Sequence, residues 1–247
     1  MNYSIPFVLP SLGKLYGDAI PNGEVVLKPI RGEQEELLAA TEEGEENTLP
    51  ILQHITQQLT VFPNKFAIVD LLLTDWLAVM INIFAESYSP QITVTPKCPR
   101  CPRQEPHTVN FSAMQYTTAD EIEEYKEPFE VTLPRSGEKV LLQYLRVRNI
   151  NATIEYKKDK KIPDHQKKPL SYATAQQIMM IDGVSSTPIK TTMWVKRALG
   201  FDLRHLRGEI AKRDTGYDPR LPIKCACGHE FHTKLPLDFF RAGASGS

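Results

Sequence analysis

Four cysteines are the residues of this sequence best suited to chemistry. They come in two pairs, Cys98 and Cys101 in KCPRCPRQEPHTVNF and Cys225 and Cys227 in LPIKCACGHEFHTKLPL. A C-x2-C turn lets both sulfurs face one ion while amides of the same turn donate to them. Pro99 favours such a turn, and Gly228 can take the positive φ that a second knuckle requires. C-x-C is tighter, but two sulfurs still reach one ion at ~2.3 Å. Together the pairs form a closed tetrahedral set with no position open to water or substrate, which is the pattern of structural Zn2+, one ion per chain. Two other arrangements use the same residues. One is a pair of separate sites with His107 in one half and His229 or His232 in the other. The second leaves the thiols reduced and metal-free. His54, His165 and His205 have no partner by spacing.

The segments that must carry these cysteines are written twice. Asp75 precedes Cys98 by 23 residues, and Asp202 precedes Cys225 by 23. Each pair follows a lysine (Lys97, Lys224) and leads to His-Thr, at His107-Thr108 and His232-Thr233. Further upstream, NGEVVLKPIR from Asn22 parallels SGEKVLLQYLR from Ser136, a turn followed by an apolar strand. The expected fold is α+β, with two similar repeats of strands plus helices, each ending in a cysteine knuckle and joined by a zinc-ribbon-like four-cysteine site. The units run from 1 to 117 and from 118 to 247. Helices are predicted at Glu33–Ala40, Leu49–Leu59 and Asp75–Ala85. In the second unit they fall near Tyr172–Ile181, Thr191–Leu199 and Asp202–Lys212. Thr74 offers an N-cap oxygen to the third helix, and Asp75 suits its positive end.

Composition removes several function classes. The 29 basic and 30 acidic residues nearly cancel, so no global charge draws the chain to nucleic acid or to an anionic membrane. FAIVDLLLTDWLAVMINIFAESY is apolar but broken by Asp70, Asp75 and Asn82, and reads as a buried helix rather than a membrane span. The first residues lack the basic and apolar regions of a secretory signal, which places assembly in a cytosol. No nucleophile elbow, phosphate loop, zincin pair or dinucleotide fingerprint occurs, so no enzyme is expected. YKKDKKIPDHQKKP holds six lysines between 157 and 168 without arginine or a ladder of aromatics. It reads as a mobile loop inserted in the second unit, with docking to a partner as the alternative.

The order of these motifs resembles a known family. LPSLGKLYGD, NGEVVLKPIR, LLLTDWLAVMINIFAESYSPQITV with CPRC, EVTLPRSGEKVLLQYLR, IMMIDGV and CACGHEFHTKLPL are similar to the baseplate hub or hub-assembly proteins of contractile-tailed, T-even-like bacteriophages. The likeness runs through most of the chain as short motifs. It implies a structural or assembly part of the tail baseplate without enzymatic activity. Other baseplate and tail proteins would be its partners, in several copies, and the virion its location. It also implies zinc at Cys98, Cys101, Cys225 and Cys227; the C-x-C pair and the lysine loop depart from the commoner pattern. An assembly chaperone absent from the mature virion, and a zinc-ribbon nucleic-acid-binding factor, are the alternative readings. YSIPFVLP and LDFFRAG are segments that either cover neighbours or pack as ordinary termini.

Overall fold

The computed structural model describes residues 4–40 and 45–235. The chain runs β1 (Ile5–Val8), β2 (Glu24–Leu27), α1 (Gly32–Ala39), α2 (Glu45–Leu59), β3 (Thr60–Val61), α3 (Leu73–Ser87), β4 (Gln91–Val94), β5 (His107–Asn110) and β6 (Tyr116–Thr117). It continues with β7 (Phe129–Thr132), β8 (Lys139–Leu142), α4 (Val147–Lys158), α5 (Pro169–Ala175), β9 (Ile178–Ile181), β10 (Val184–Ser185), α6 (Pro188–Arg197), α7 (Gly200–Ala211), β11 (Gly216–Tyr217), β12 (Arg220–Lys224) and β13 (Glu230–Lys234). The fold is therefore mixed helix and sheet, with small antiparallel sheets.

Two of these sheets have related orders. One runs β1-β2-β3 and the other β10-β9-β8-β7, each built on an antiparallel hairpin whose second strand pairs with a later one. In both, the helix after the hairpin starts at an arginine held by a side chain three residues on. The Arg31 amide donates to Gln34 Oε1 at 3.1 Å, and the Arg146 amide donates to Asn149 Oδ1 at 2.7 Å. Such reciprocal capping satisfies amides that a helix start leaves without partners.

α3 is apolar because it is surrounded. Trp76, Val79, Met80, Ile83 and Phe84 are all buried, and Trp76 Nε1 donates to Thr56 Oγ1 of α2 at 2.9 Å. This core takes in α1 to α3, β1, β2, β4 and β5, but also Val147, Leu221, Ile223 and Leu235 from the later chain. A second core gathers Phe129, Val131, Val140, Leu142, Ile178, Val195, Leu206 and Ile210, together with Leu72 from the earlier chain. Each half thus lends apolar side chains to the other. Backbone bonds cross in the same place: Leu73 N donates to Leu145 O at 2.8 Å, and Val147 N to Leu71 O at 3.0 Å. Gln53 and Asn151 exchange two amide bonds, at 2.7 and 3.0 Å.

Three local expectations are corrected. The predicted helix at Tyr172–Ile181 ends at Ala175, and Ile178–Ile181 is β9, because an apolar IMMI run serves a strand against Val140–Leu142 as well as it serves a helix. The lysine segment is helical at its start, since α4 runs to Lys158. Its remainder is tied down by the stacked Tyr156 and Tyr172 rings, 4.2 Å apart. α3 begins at Leu73, one turn position before the expected cap, and Thr74 Oγ1 pairs with Thr215 Oγ1 at 3.2 Å instead. YSIPFVLP supplies β1, whereas LDFFRAG lies outside the described residues.

Candidate metal centre

Both cysteine pairs sit at the tips of antiparallel hairpins. β4 and β5 pair from Gln91↔Asn110 to Val94↔His107, and beyond them Lys97 bridges Gln104. β12 and β13 pair from Arg220↔Lys234 to Lys224↔Glu230. The first tip is closed by Cys98 N donating to Arg103 O at 3.1 Å, while Arg100 N donates to Cys98 Sγ at 3.4 Å. The second is closed by Cys225 N to His229 O at 2.9 Å and Gly228 N to Cys225 O at 2.8 Å. Gly228 takes φ +81°, the left-handed conformation that glycine adopts without a Cβ clash.

The roots of the hairpins are fixed by the core. Ile92, Val94, Leu221 and Ile223 alternate inward along their strands and are buried together. Alternation turns the sheet faces, so the two tips meet. Cys98 Sγ lies 3.8 Å from Cys227 Sγ, and Cys101 Sγ lies 3.7 Å from Cys225 Sγ. All four sulfurs fall within 4.8 Å of one another. Four sulfurs around an ion at ~2.3 Å form a tetrahedron with edges of roughly 3.8 Å. The donor set therefore fits a thiolate-bound metal such as zinc.

The electrostatics agree with that fit. Burial raises the Cys98 thiol, but amide hydrogen bonds at Arg100 and Cys101 bring it down to about 7. At Cys225 the Cys227 amide works downward, yet burial and the thiols of Cys227, Cys101 and Cys98 push it up to about 12. Thiols this close do not all ionise unaided, because each new thiolate repels the last. A dication among them removes that repulsion. Cys98 and Cys225 are buried, Cys101 is half-buried and Cys227 is exposed, so the cluster opens to solvent mainly at Cys227.

The sequence brought the four cysteines forward, and they are brought together here. His107 borders the cluster beside Cys98, Cys225, Arg103 and Glu105, but among the described residues no histidine belongs to the sulfur group. Sequence reasoning did not foresee the work of the two aspartates upstream. Asp75 accepts from Ser11 N at 3.0 Å and from Tyr16 OH at 2.6 Å; Asp202 accepts from Arg135 N at 2.9 Å and Ser136 N at 3.1 Å. Their common distance to the cysteines was the available signal.

The described residues form a mixed helix-and-sheet body that brings four thiols from two hairpins within 4.8 Å of one another, the donor set of a candidate structural metal centre. The family comparison identifies the class of protein. The family described as T4 bacteriophage base plate protein matches residues 2–241, and the chain belongs to it. Membership makes this a phage base plate protein of the virion tail, whose partners are other tail proteins. No curated protein and no solved structure matches the chain. Among the described residues, no helix is long and apolar enough to cross a membrane.

Proposed function

We propose that the protein is a non-enzymatic structural component of the hub region of a contractile tail baseplate, held in shape by one zinc ion on Cys98, Cys101, Cys225 and Cys227. The observation that carries the metal is the cross-pairing of sulfurs from two hairpins at 3.7 and 3.8 Å. The hub assignment rests on the order of motifs along the chain and on membership in the base plate family. When bound, the ion would neutralise the thiolates and tie together two hairpins far apart in sequence. A site saturated with four thiolates offers no coordination position for a reaction, in keeping with a clamp.

The same reading makes the chain a duplicated unit, with boundaries near 117 and 118. The related orders of the two sheets, the capped helix starts after Arg31 and Arg146, and the two buried aspartates support it. A duplication places equivalent hairpins where a single ion can join them.

Two measurements test this. Metal analysis of purified protein is expected to give about one zinc per chain, lost in Cys225→Ser; about two per chain, or retention in Cys225→Ser, rejects the shared site. Mass spectrometry of purified particles is expected to find the protein in the mature tail. Its absence there would make it an assembly factor that leaves.

A further inference from the structure

The consecutive helices α6 and α7 leave both apolar and cationic side chains in solvent. Ile189, Met193, Leu199 and Phe201 are large apolar side chains left exposed, Ile189 at 63% and Phe201 at 56%. Between Pro188 and Gly208 the cations are Lys190, Lys196, Arg197, Arg204 and Arg207, all exposed and without an ion-pair partner among the described residues. The single acid in that stretch, Asp202, is buried and turned to the β7–β8 turn. Arg135 extends the face by lying over the Phe201 ring, 5.3 Å from its centre.

Several exposed apolar groups of this size among exposed cations mark a contact site. The residue types decide which kind. Arginine, methionine and phenylalanine are enriched at protein interfaces. A membrane-surface helix separates its apolar and cationic faces, whereas here Ile189, Lys190, Met193, Lys196 and Arg197 share the exposed part of one helix. A single strand of nucleic acid is held by a ladder of stacking platforms, and the exposed apolar groups here offer one ring, Phe201.

The complement is present in the same chain. Residues 1–117 hold 7 Lys and Arg against 13 Asp and Glu, whereas residues 118–247 hold 22 against 17. Within the acidic half, α1 (GEQEELLA) has no cation, and it exposes Glu33, Glu36 and Leu37 on its outer side. We propose that the α6–α7 face docks the acidic α1 surface of a second copy of this chain, so that copies associate head to tail. Glu33 and Glu36 would meet Arg197, Arg204 and Arg207 around the exposed apolar groups. Unlike patches on successive copies generate a ring or an open row, not a symmetric pair.

Sedimentation velocity on the full chain tests the contact. Self-association is expected to rise with protein concentration and to weaken about tenfold from roughly 0.05 to 0.5 M NaCl. Ile189→Asp with Met193→Asp, and separately Glu33→Lys with Glu36→Lys, should each leave a monomer. Mixing these two variants should give a one-to-one pair that grows no further, because each retains one intact face. Arg204→Glu with Arg207→Glu serves if the first variant misfolds, and unchanged circular dichroism and thermal melting show that the variants are folded. A monomer at every concentration overturns the proposal, as does association indifferent to salt or to the α1 substitutions. Binding to phosphatidylglycerol vesicles or to duplex DNA by a chain that stays monomeric also overturns it. The zinc assay is independent of every one of these readouts.

Discussion

Asp75 and Asp202 each lie buried in the first turn of a helix and each accept backbone amides from the connection of an antiparallel hairpin, Asp75 from Ser11 and Asp202 from Arg135 and Ser136. The carboxylates spend their hydrogen bonds on the neighbouring hairpin rather than on their own helix. They fix the angle between hairpin and helix in both halves, and those helices lead into the strands that end at the cysteines.

Removing one of these anchors leaves buried amides without acceptors. Asp202→Ala is expected to destabilise the protein by about 2–4 kcal/mol, and Asp202→Asn, which keeps one acceptor oxygen, by less. Urea unfolding followed by circular dichroism measures the difference. A loss below that of an ordinary surface substitution would remove Asp202 as an anchor.

Asp75 also sets a pH dependence. Burial pushes its carboxyl up to about 6, although bonds from Ser11 and Tyr16 work downward. The folded chain therefore binds this proton more tightly than the unfolded chain, and the resulting stability is full below the ordinary range near 3.8 and is lost as pH rises through about 6. The change amounts to roughly 3 kcal/mol for a shift of this size. Acid release of a thiolate-bound metal runs the opposite way but is common to wild type and Asp75→Asn. The stability difference between these two proteins is thus expected to narrow in one direction only, with Asp75→Asn gaining relative to wild type from pH 4 to pH 7. A difference that stays flat over this interval would rule out a raised Asp75.

Gly13 is set by close approach of backbone. A Cβ there would lie 2.2 Å from Ile20 O and 2.5 Å from Gly23 N, on a backbone at φ +72°. Gly17 has a similar φ of +53° with nothing near the added carbon. Gly17→Ala should cost about 1 kcal/mol, whereas Gly13→Ala should cost several times as much and reduce soluble yield. Thermal melting of the two variants side by side makes the comparison.

The histidines near the cluster give a further discrimination. His107→Ala, His229→Ala and His232→Ala are expected to retain the metal, while serine at any of the four cysteines loses it. Stripping the metal with a strong chelator should lower the melting temperature and make the thiols titratable with a chromogenic disulfide. Loss of metal in His107→Ala would move the donor set to a histidine-containing site.

The cysteine cluster was legible because ligand chemistry restricts both residue type and spacing, and equal distances from Asp75 and Asp202 pointed to the second pair. Most helices were legible from apolar periodicity, as in α3. IMMI at Ile178–Ile181 was not, because four apolar residues fit a buried strand or a helix turn, and only pairing with Val140–Leu142 decides. The cap of α3 was missed because Thr74 is used by Thr215, a contact made across the fold. The α6–α7 face was hidden for a related reason. Its apolar residues read as ordinary core on one dimension, and their exposure depends on which side Thr191, Thr192 and Val195 turn inward.

Leu221, Ile223 and Leu235 complete a core whose other members lie mostly before residue 115. On a ribosome, which releases the chain from its N-terminus, the part of this core that Leu221, Ile223 and Leu235 close must wait uncovered until the β12–β13 hairpin has been made. Cys98 and Cys101 wait with it for their distant counterparts. The nascent protein thus keeps part of this core adhesive until translation has passed the β12–β13 hairpin.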